Sequence, residues 1–270
     1  MEYPSLPSNY KGVYPFTLCT TSFIYPDHII PNVKKLGPVV DEIEVLVFES
    51  TPDSLPTTAD IQELVNLSKK LDVSYNIHLP LDISVTDGDP ALRRQAVQTM
   101  RHIIDMTAVL CPSTYTLHLP YEETDRTQAT IKQWQKRGIQ SLNDILSANV
   151  NARDISVETL DYPFEWAEPV VEALDTAVCL DLGHLMVYGY DCEKAFEKHA
   201  AHTSIIHLHG VENDKDHLAL DRLAEDNVRM AMDILRRFEG VVSLEVFSYE
   251  KLKASMKFLA GQLSDHPTKN

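Results

Sequence analysis

Two hydrophobic periods alternate along this chain. Eight short runs rich in β-branched and aromatic residues read as strands: 16–23 (FTLCTTSF), 42–48 (EIEVLVF), 74–79 (SYNIHL), 114–119 (TYTLHL), 155–160 (ISVETL), 177–182 (AVCLDL), 204–209 (SIIHLH) and 241–247 (VVSLEVF). Between them, apolar residues recur at three- and four-residue spacing, as in Ile61, Leu64, Val65 and Leu67 to Leu71, or Val97, Met100, Ile103, Ile104 and Met106 to Leu110. Helix-start signals precede these stripes: Thr57 to Asp60, Asp89-Pro90, and Tyr162-Pro163 before WAEPVVEAL, where Pro169 predicts a break or a short helix. Eight strand–helix alternations in one chain of this size predict a single α/β domain, a (β/α)8 TIM barrel over 16–262. Residues 1–15 form an N-terminal extension and 263–270 a polar, flexible tail.

Composition narrows the picture. The 270 residues are 44% hydrophobic, enough to bury a large core. No apolar run approaches the ~20 residues that span a bilayer, and MEYPSLPSNYKG lacks the features of a secretory leader. No membrane association and a cytoplasmic location are expected. Cys19, Cys111, Cys179 and Cys192 include no CxxC pair, so they read as buried or half-buried thiols. The formal net charge of −16 argues against nucleic acid as a partner, because phosphate neutralisation needs a basic face. The basic pairs Arg93-Arg94 and Arg236-Arg237 read as solvated helix faces.

The chemistry gathers at strand ends. Six strands finish in donors: His78 (NIHLP), His118 (YTLHLP), Glu158 (ISVETL), Asp181 with His184 just beyond (VCLDLGH), His207 (IIHLH) and Glu245 (VVSLEVF). A lone strand histidine is usually a core residue, but His78 and His118 share the context x-His-Leu-Pro. Three buried strand carboxylates without partners would each cost several kcal/mol, and few lysines or arginines stand at strand ends to pair with them. A divalent metal site answers all of these at once. In Asp181-Leu-Gly-His184, the glycine is read as permitting a turn. His207 and His209 are read as alternating to opposite sides of one strand, so only one is expected to face the barrel mouth; register with Asp181 and Glu245 selects His207, leaving His209 behind it or in the core. His217, in the charged loop NDKDHLAL beside Asp214 and Asp216, is a further ligand candidate. Glu49, Thr21 and Ser22 are candidates for substrate contacts. His28, His102, His199 and His202 read as structural or surface residues.

At these residues the chain resembles the xylose-isomerase-like barrel superfamily, which includes endonuclease IV and the sugar epimerases. The epimerase pattern of Glu, Asp, His and Glu around one divalent metal matches Glu158, Asp181, His207 and Glu245. The endonuclease IV-like pattern adds strand histidines matching His78 and His118, and a third-metal set matching His184 and a loop Asp-x-His. His217 fits the last position, with the aspartate open between Asp214 and Asp216. The segments TTSFIYPDHIIPNV, DEIEVLVFES and NIHLPLDI are similar to a narrower branch, the cobamide-remodelling phosphodiesterases.

That resemblance implies a hydrolase cleaving the nucleotide-loop phosphodiester of a small-molecule corrinoid. It implies one to three divalent ions, zinc first with manganese or iron as alternatives, and catalytic roles for Glu158, His184 and His217. The alternatives are a sugar isomerase or epimerase with a single divalent metal, and a non-catalytic corrinoid-binding barrel.

Overall fold

The computed structural model describes residues 3–146 and 150–263. Eight parallel strands close into a barrel: β1 (Thr17–Thr21), β2 (Glu42–Leu46), β3 (Ser74–His78), β4 (Tyr115–Leu117), β5 (Ile155–Glu158), β6 (Ala177–Asp181), β7 (Thr203–Leu208) and β10 (Val241–Leu244). β1 pairs with both β2 and β10, which completes the ring. The predicted TIM barrel is therefore present, with every predicted strand in place. The predicted tail lies outside the described residues apart from Leu263, which ends α9 (Tyr249–Leu263). The N-terminal segment packs onto the barrel through Leu6 and Tyr10, both buried.

The helix signals operate as expected. Thr57 and Asp60 form a reciprocal capping box at the start of α2 (Thr58–Leu71). Asp89 caps α3 (Pro90–Thr107) by accepting from the Ala91 N–H at 2.7 Å. Pro169 sits in the first turn of α5 (Glu168–Leu174), a helix of only seven residues.

One element departs from the sequence reading. The charged loop after β7 is an antiparallel hairpin of β8 (Gly210–Glu212) and β9 (Lys215–Leu218). Its turn residues Asn213 and Asp214 both adopt left-handed φ, 52° and 59°. Two consecutive positive-φ residues are what a tight hairpin turn requires, and Asn and Asp tolerate them. The polar composition hid the turn chemistry.

Side chains two apart on a strand share a face, and the inward set here is unusually polar. It includes Glu42 and Glu44 on β2, Asn76 and His78 on β3, Ser156 and Glu158 on β5, and Ser243 on β10. Branched aliphatic residues usually fill such an interior. Here Glu42 instead accepts from Asn76 Nδ2 (2.7 Å), Ser113 Oγ (2.6 Å) and Ser74 Oγ (2.7 Å). Burial raises the Glu42 carboxyl above its usual range, against the pull of those three donors. The small apolar cluster of Cys19, Cys179, Ile205 and Val241 closes the barrel floor.

Candidate metal centre

The strand-end donors converge at the carboxyl end of the barrel. His78 closes β3 with Nδ1 2.9 Å from the Leu79 carbonyl, which turns Nε2 inward to 3.3 Å from Glu158 Oε2. His118, one residue past β4, brings Nε2 to 2.9 Å from the same oxygen. The other oxygen, Glu158 Oε1, lies 3.3 Å from His184 Nδ1 and 3.7 Å from His207 Nδ1. Glu245 Oε2 lies 3.4 Å from His207 Nδ1 and 3.7 Å from His217 Nδ1. One carboxylate, Glu158, is thus shared by two ligand groups.

Those groups are His78–His118–Glu158 and Glu158–Asp181–His207–Glu245, each with candidate ligand atoms within 4.8 Å of one another. A third, His184–His209–His217, satisfies the same spacing. Asp181 Oδ2, Glu245 Oε2 and His207 Nδ1 are fully buried and make no hydrogen bond within the protein. Orphaned buried polar atoms of opposite character are costly. These three point to a common centre with Glu158, so the four-residue set fits a divalent cation. Cys179 also lies beside Glu158 and His207, but burial pushes its thiol well above the usual range, so it stays protonated. The donors are therefore oxygen and imidazole, a set compatible with Zn, Mn or Fe.

The electrostatics agree. Burial works to raise the Glu158 carboxyl, but the neighbouring His118 and His207 charges hold it well below the usual carboxylate range. Asp181 is lowered against burial by His184 and His209. His184 moves the other way: burial opposes its charged form, but Asp181 and Glu158 outweigh that and push it up to about 10. Carboxylates and imidazoles here stabilise one another's charges, which is the field that a bound cation would take over.

Several sequence expectations are corrected by this geometry. His209 joins the site: its Nε2 is 3.3 Å from Asp181 Oδ1, and its ring centroid is 4.3 Å from that of His217. Residues two apart on a strand point the same way, so His207 and His209 both turn inward, at successive heights. Neither Asp214 nor Asp216 belongs to a candidate ligand group among the described residues, and His209 takes the third place beside His184 and His217.

Gly183 is not a turn glycine. It lies within the short helix α6 (Leu182–Val187), and a Cβ there would meet the His209 ring at 1.9 Å. The glycine makes room for His209.

Thr21 is fully buried, and its hydroxyl donates to the Val246 carbonyl at 2.9 Å. Ser22 accepts from the Leu46 N–H at 3.0 Å, yet it also lines a cavity beside the mouth, as does exposed Glu49. Of the thiols, Cys111 is exposed and the other three are buried. Arg93 and Arg94 line a groove between α3 and α4 (Gln128–Leu146), away from the donors.

One residue escaped the sequence reading altogether. Glu44, fully buried on β2, places Oε1 3.0 Å from His207 Nε2 and accepts from Ser243 Oγ through Oε2 at 2.6 Å. The Glu44 carboxylate thus lies beside Nε2 of the ring, and Nδ1 faces Glu158, Asp181 and Glu245. The signal was available as alternation in EIEVL, since Glu42 and Glu44 fall on the inward parity and not at the strand end.

The sequence matches the model of the xylose isomerase-like TIM barrel family over residues 30–262. The chain belongs to that family. No curated protein matches the chain.

Solved structures with the same fold include a D-tagatose 3-epimerase-like protein, 16% identical, with a TM-score of 0.74 over 92% of this chain and 97% of that one. Another is an L-ribulose 3-epimerase, 15% identical, with a TM-score of 0.72 over 94% of this chain and 100% of that one. A third is a Thermus thermophilus protein soaked with zinc chloride, 18% identical, with a TM-score of 0.68 over 94% of this chain and 100% of that one. At these identities the likeness establishes the fold. Among the described residues no helix is long and apolar enough to cross a membrane.

Proposed function

We propose that this family member is a multinuclear metal-dependent phosphodiesterase acting on a small molecule, with the nucleotide-loop phosphodiester of cobamides as its substrate. The observation that carries this reading is Glu158, one carboxylate shared between His78–His118 and Asp181–His207–Glu245. When bound, paired divalent ions bring a water's pKa toward neutrality and neutralise charge on a phosphate.

The chain's own residues do the rest. Glu158, with His78 and His118 beside one oxygen, would serve as a ligand common to both groups. His78 presents Nε2 because its Nδ1 faces the Leu79 carbonyl. His184 and His217 line the mouth, and Nδ1 of His217 lies 3.1 Å from the Glu245 carbonyl. Nε2 would then be a bare lone pair, able to take a proton from the attacking water and pass it to the departing oxygen. The narrower substrate assignment is supported by the similarity of segments 20–33, 41–50 and 76–83 to the cobamide-remodelling branch.

A second reading has its own support. Several solved structures sharing this fold are sugar epimerases. A ketose epimerase with a single metal needs only Glu158, Asp181, His207 and Glu245, all of which are assembled here. It assigns no ligand role to His78 and His118.

Parallel assays of adenosylcobalamin, an abasic DNA duplex and a ketose panel separate the readings. Corrinoid cleavage is expected, falling on the order of 100-fold or more in His78→Ala and His118→Ala. Ketose epimerisation that survives both substitutions would establish the second reading instead.

A further inference from the structure

The metal mouth opens sideways. A cavity of about 150 Å³ at the donors and a larger one of about 710 Å³ share Leu46 and Phe48 as common walls. The larger cavity runs between the loops that follow β1 and β2, reaching Ile29 at the start of α1 (Ile29–Leu36) and Leu55. A strip of aromatic rings connects the two. His217 lies 4.9 Å from Phe247 between centroids, Phe247 lies 5.9 Å from Phe48, and Phe48 meets Phe23 edge-on at 5.3 Å.

Phe23 is 46% exposed, and Leu81 (44%) and Tyr188 (47%) stand on other loops of the same barrel end. Apolar surface gathered around a catalytic mouth marks a ligand-binding wall more than a packing defect.

Charge sharpens the class of ligand. Among the described residues no lysine or arginine lines either cavity, whereas Asp27, Glu49, Asp53 and Asp60 line the larger one. Asp60 is engaged in the capping box, and Glu49 Oε2 accepts from Ser54, which leaves Glu49 Oε1 and exposed Asp53 as acceptors. A polyanion lying here would set its phosphates against carboxylates. A free sugar could stack on one of these rings, but it would cover only part of a strip of three phenylalanines beside a cavity of about 710 Å³.

We infer that this groove seats a broad, flat, non-anionic ring system bearing N–H donors, carried by the substrate next to its phosphodiester. An amide-decorated corrin ring has that character. The inference rests on the phosphodiesterase reading for placing the phosphate at the donors. It assigns the rest of the molecule to Phe23, Phe48, Glu49 and Asp53.

The test is a titration of the full-length protein with dicyanocobinamide, a neutral corrinoid without the nucleotide loop, followed by calorimetry. Saturable binding is expected, weakened tenfold or more by Phe23→Ala and by Phe48→Ala, with thermal melting confirming that both variants fold. Absence of saturable binding, or wild-type affinity in both variants, overturns the groove assignment. Bis(4-nitrophenyl) phosphate hydrolysis by the zinc-loaded wild-type protein is measured alongside. Turnover without corrinoid binding refutes the groove alone. Corrinoid binding without turnover leaves the groove standing and refutes the hydrolase reading.

Discussion

Removing the carboxylate of Glu44 tests whether the centre is organised from beneath. Two fully buried groups face this side chain: the Ser243 hydroxyl at 2.6 Å and His207 Nε2 at 3.0 Å. In Glu44→Ala the Ser243 hydroxyl loses its acceptor, whereas His207 Nε2 loses a nearby carboxylate charge to which it makes no hydrogen bond. One unsatisfied buried polar group costs about 1–3 kcal/mol, which is the expected destabilisation before any cavity term. Glu44→Gln keeps the shape and one acceptor oxygen, and Ser243 can rotate to accept from the amide, so its stability stays near that of the wild type.

Metal affinity separates the variants from a purely structural role. Losing the partner behind a ligand imidazole weakens metal binding by about 10- to 100-fold, with Glu44→Gln at the low end and Glu44→Ala at the high end. Competition against a chromogenic zinc chelator reads the affinity, and long-range proton–nitrogen spectra of the histidines read the His207 tautomer. Wild-type zinc affinity in Glu44→Ala, with Nδ1 of His207 still free of a proton, would refute the argument.

Three further outcomes follow from the same site. Gly183→Ala forces a Cβ to within 1.9 Å of the His209 ring, so overpacking of about 1–3 kcal/mol and loss of the His184–His209–His217 cluster are expected; unchanged melting temperature and metal content would contradict this. In the metal-free protein, His184 at about 10 against its ordinary 6.5 contributes stability that is complete below pH 6.5 and lost as the pH rises through 10. Glu158, held below its ordinary 4.5, contributes above that pH and loses it in acid, so the metal-free melting temperature should peak between these two limits. His78 and His209 are also raised, by Glu158 and Asp181 against the opposing effect of burial. Zinc loading near neutral pH must then expel protons, and calorimetry in buffers of different ionisation enthalpy detects them; no proton release would sink this account.

The fold was legible because periods of two and of about 3.6 residues alternate cleanly, and because capping residues such as Thr57 and Asp89 mark the helix starts. The convergence of donors was legible where a donor ends a strand, since no cationic partner was in sight. What stayed hidden has physical causes. Glu44 sits one layer below the strand end, and its role depends on a partner far along the chain on β7, which no local pattern reveals. His209 was set aside by assigning alternate faces to residues that share one. The Asn213–Asp214 turn was masked by its polar flanks.

The polar interior that made Glu44 hard to see also explains how the mouth stays in register. In β2 the inward residues Glu42 and Glu44 alternate with the outward Ile43 and Val45, all four fully or nearly fully buried. A slip of one residue against β1 or β3 would turn two carboxylates into the helix layer and two aliphatic side chains onto Asn76, Ser113 and Ser243. Each misplaced polar group would then lack a partner, at about 1–3 kcal/mol apiece. An all-aliphatic interior would tolerate that slip far better. The same register carries His78 to Glu158 and aligns Asp181 with His207 across β6 and β7. The buried polar column beneath the centre therefore acts as its alignment key, trading some packing stability for a single arrangement of the donors above it.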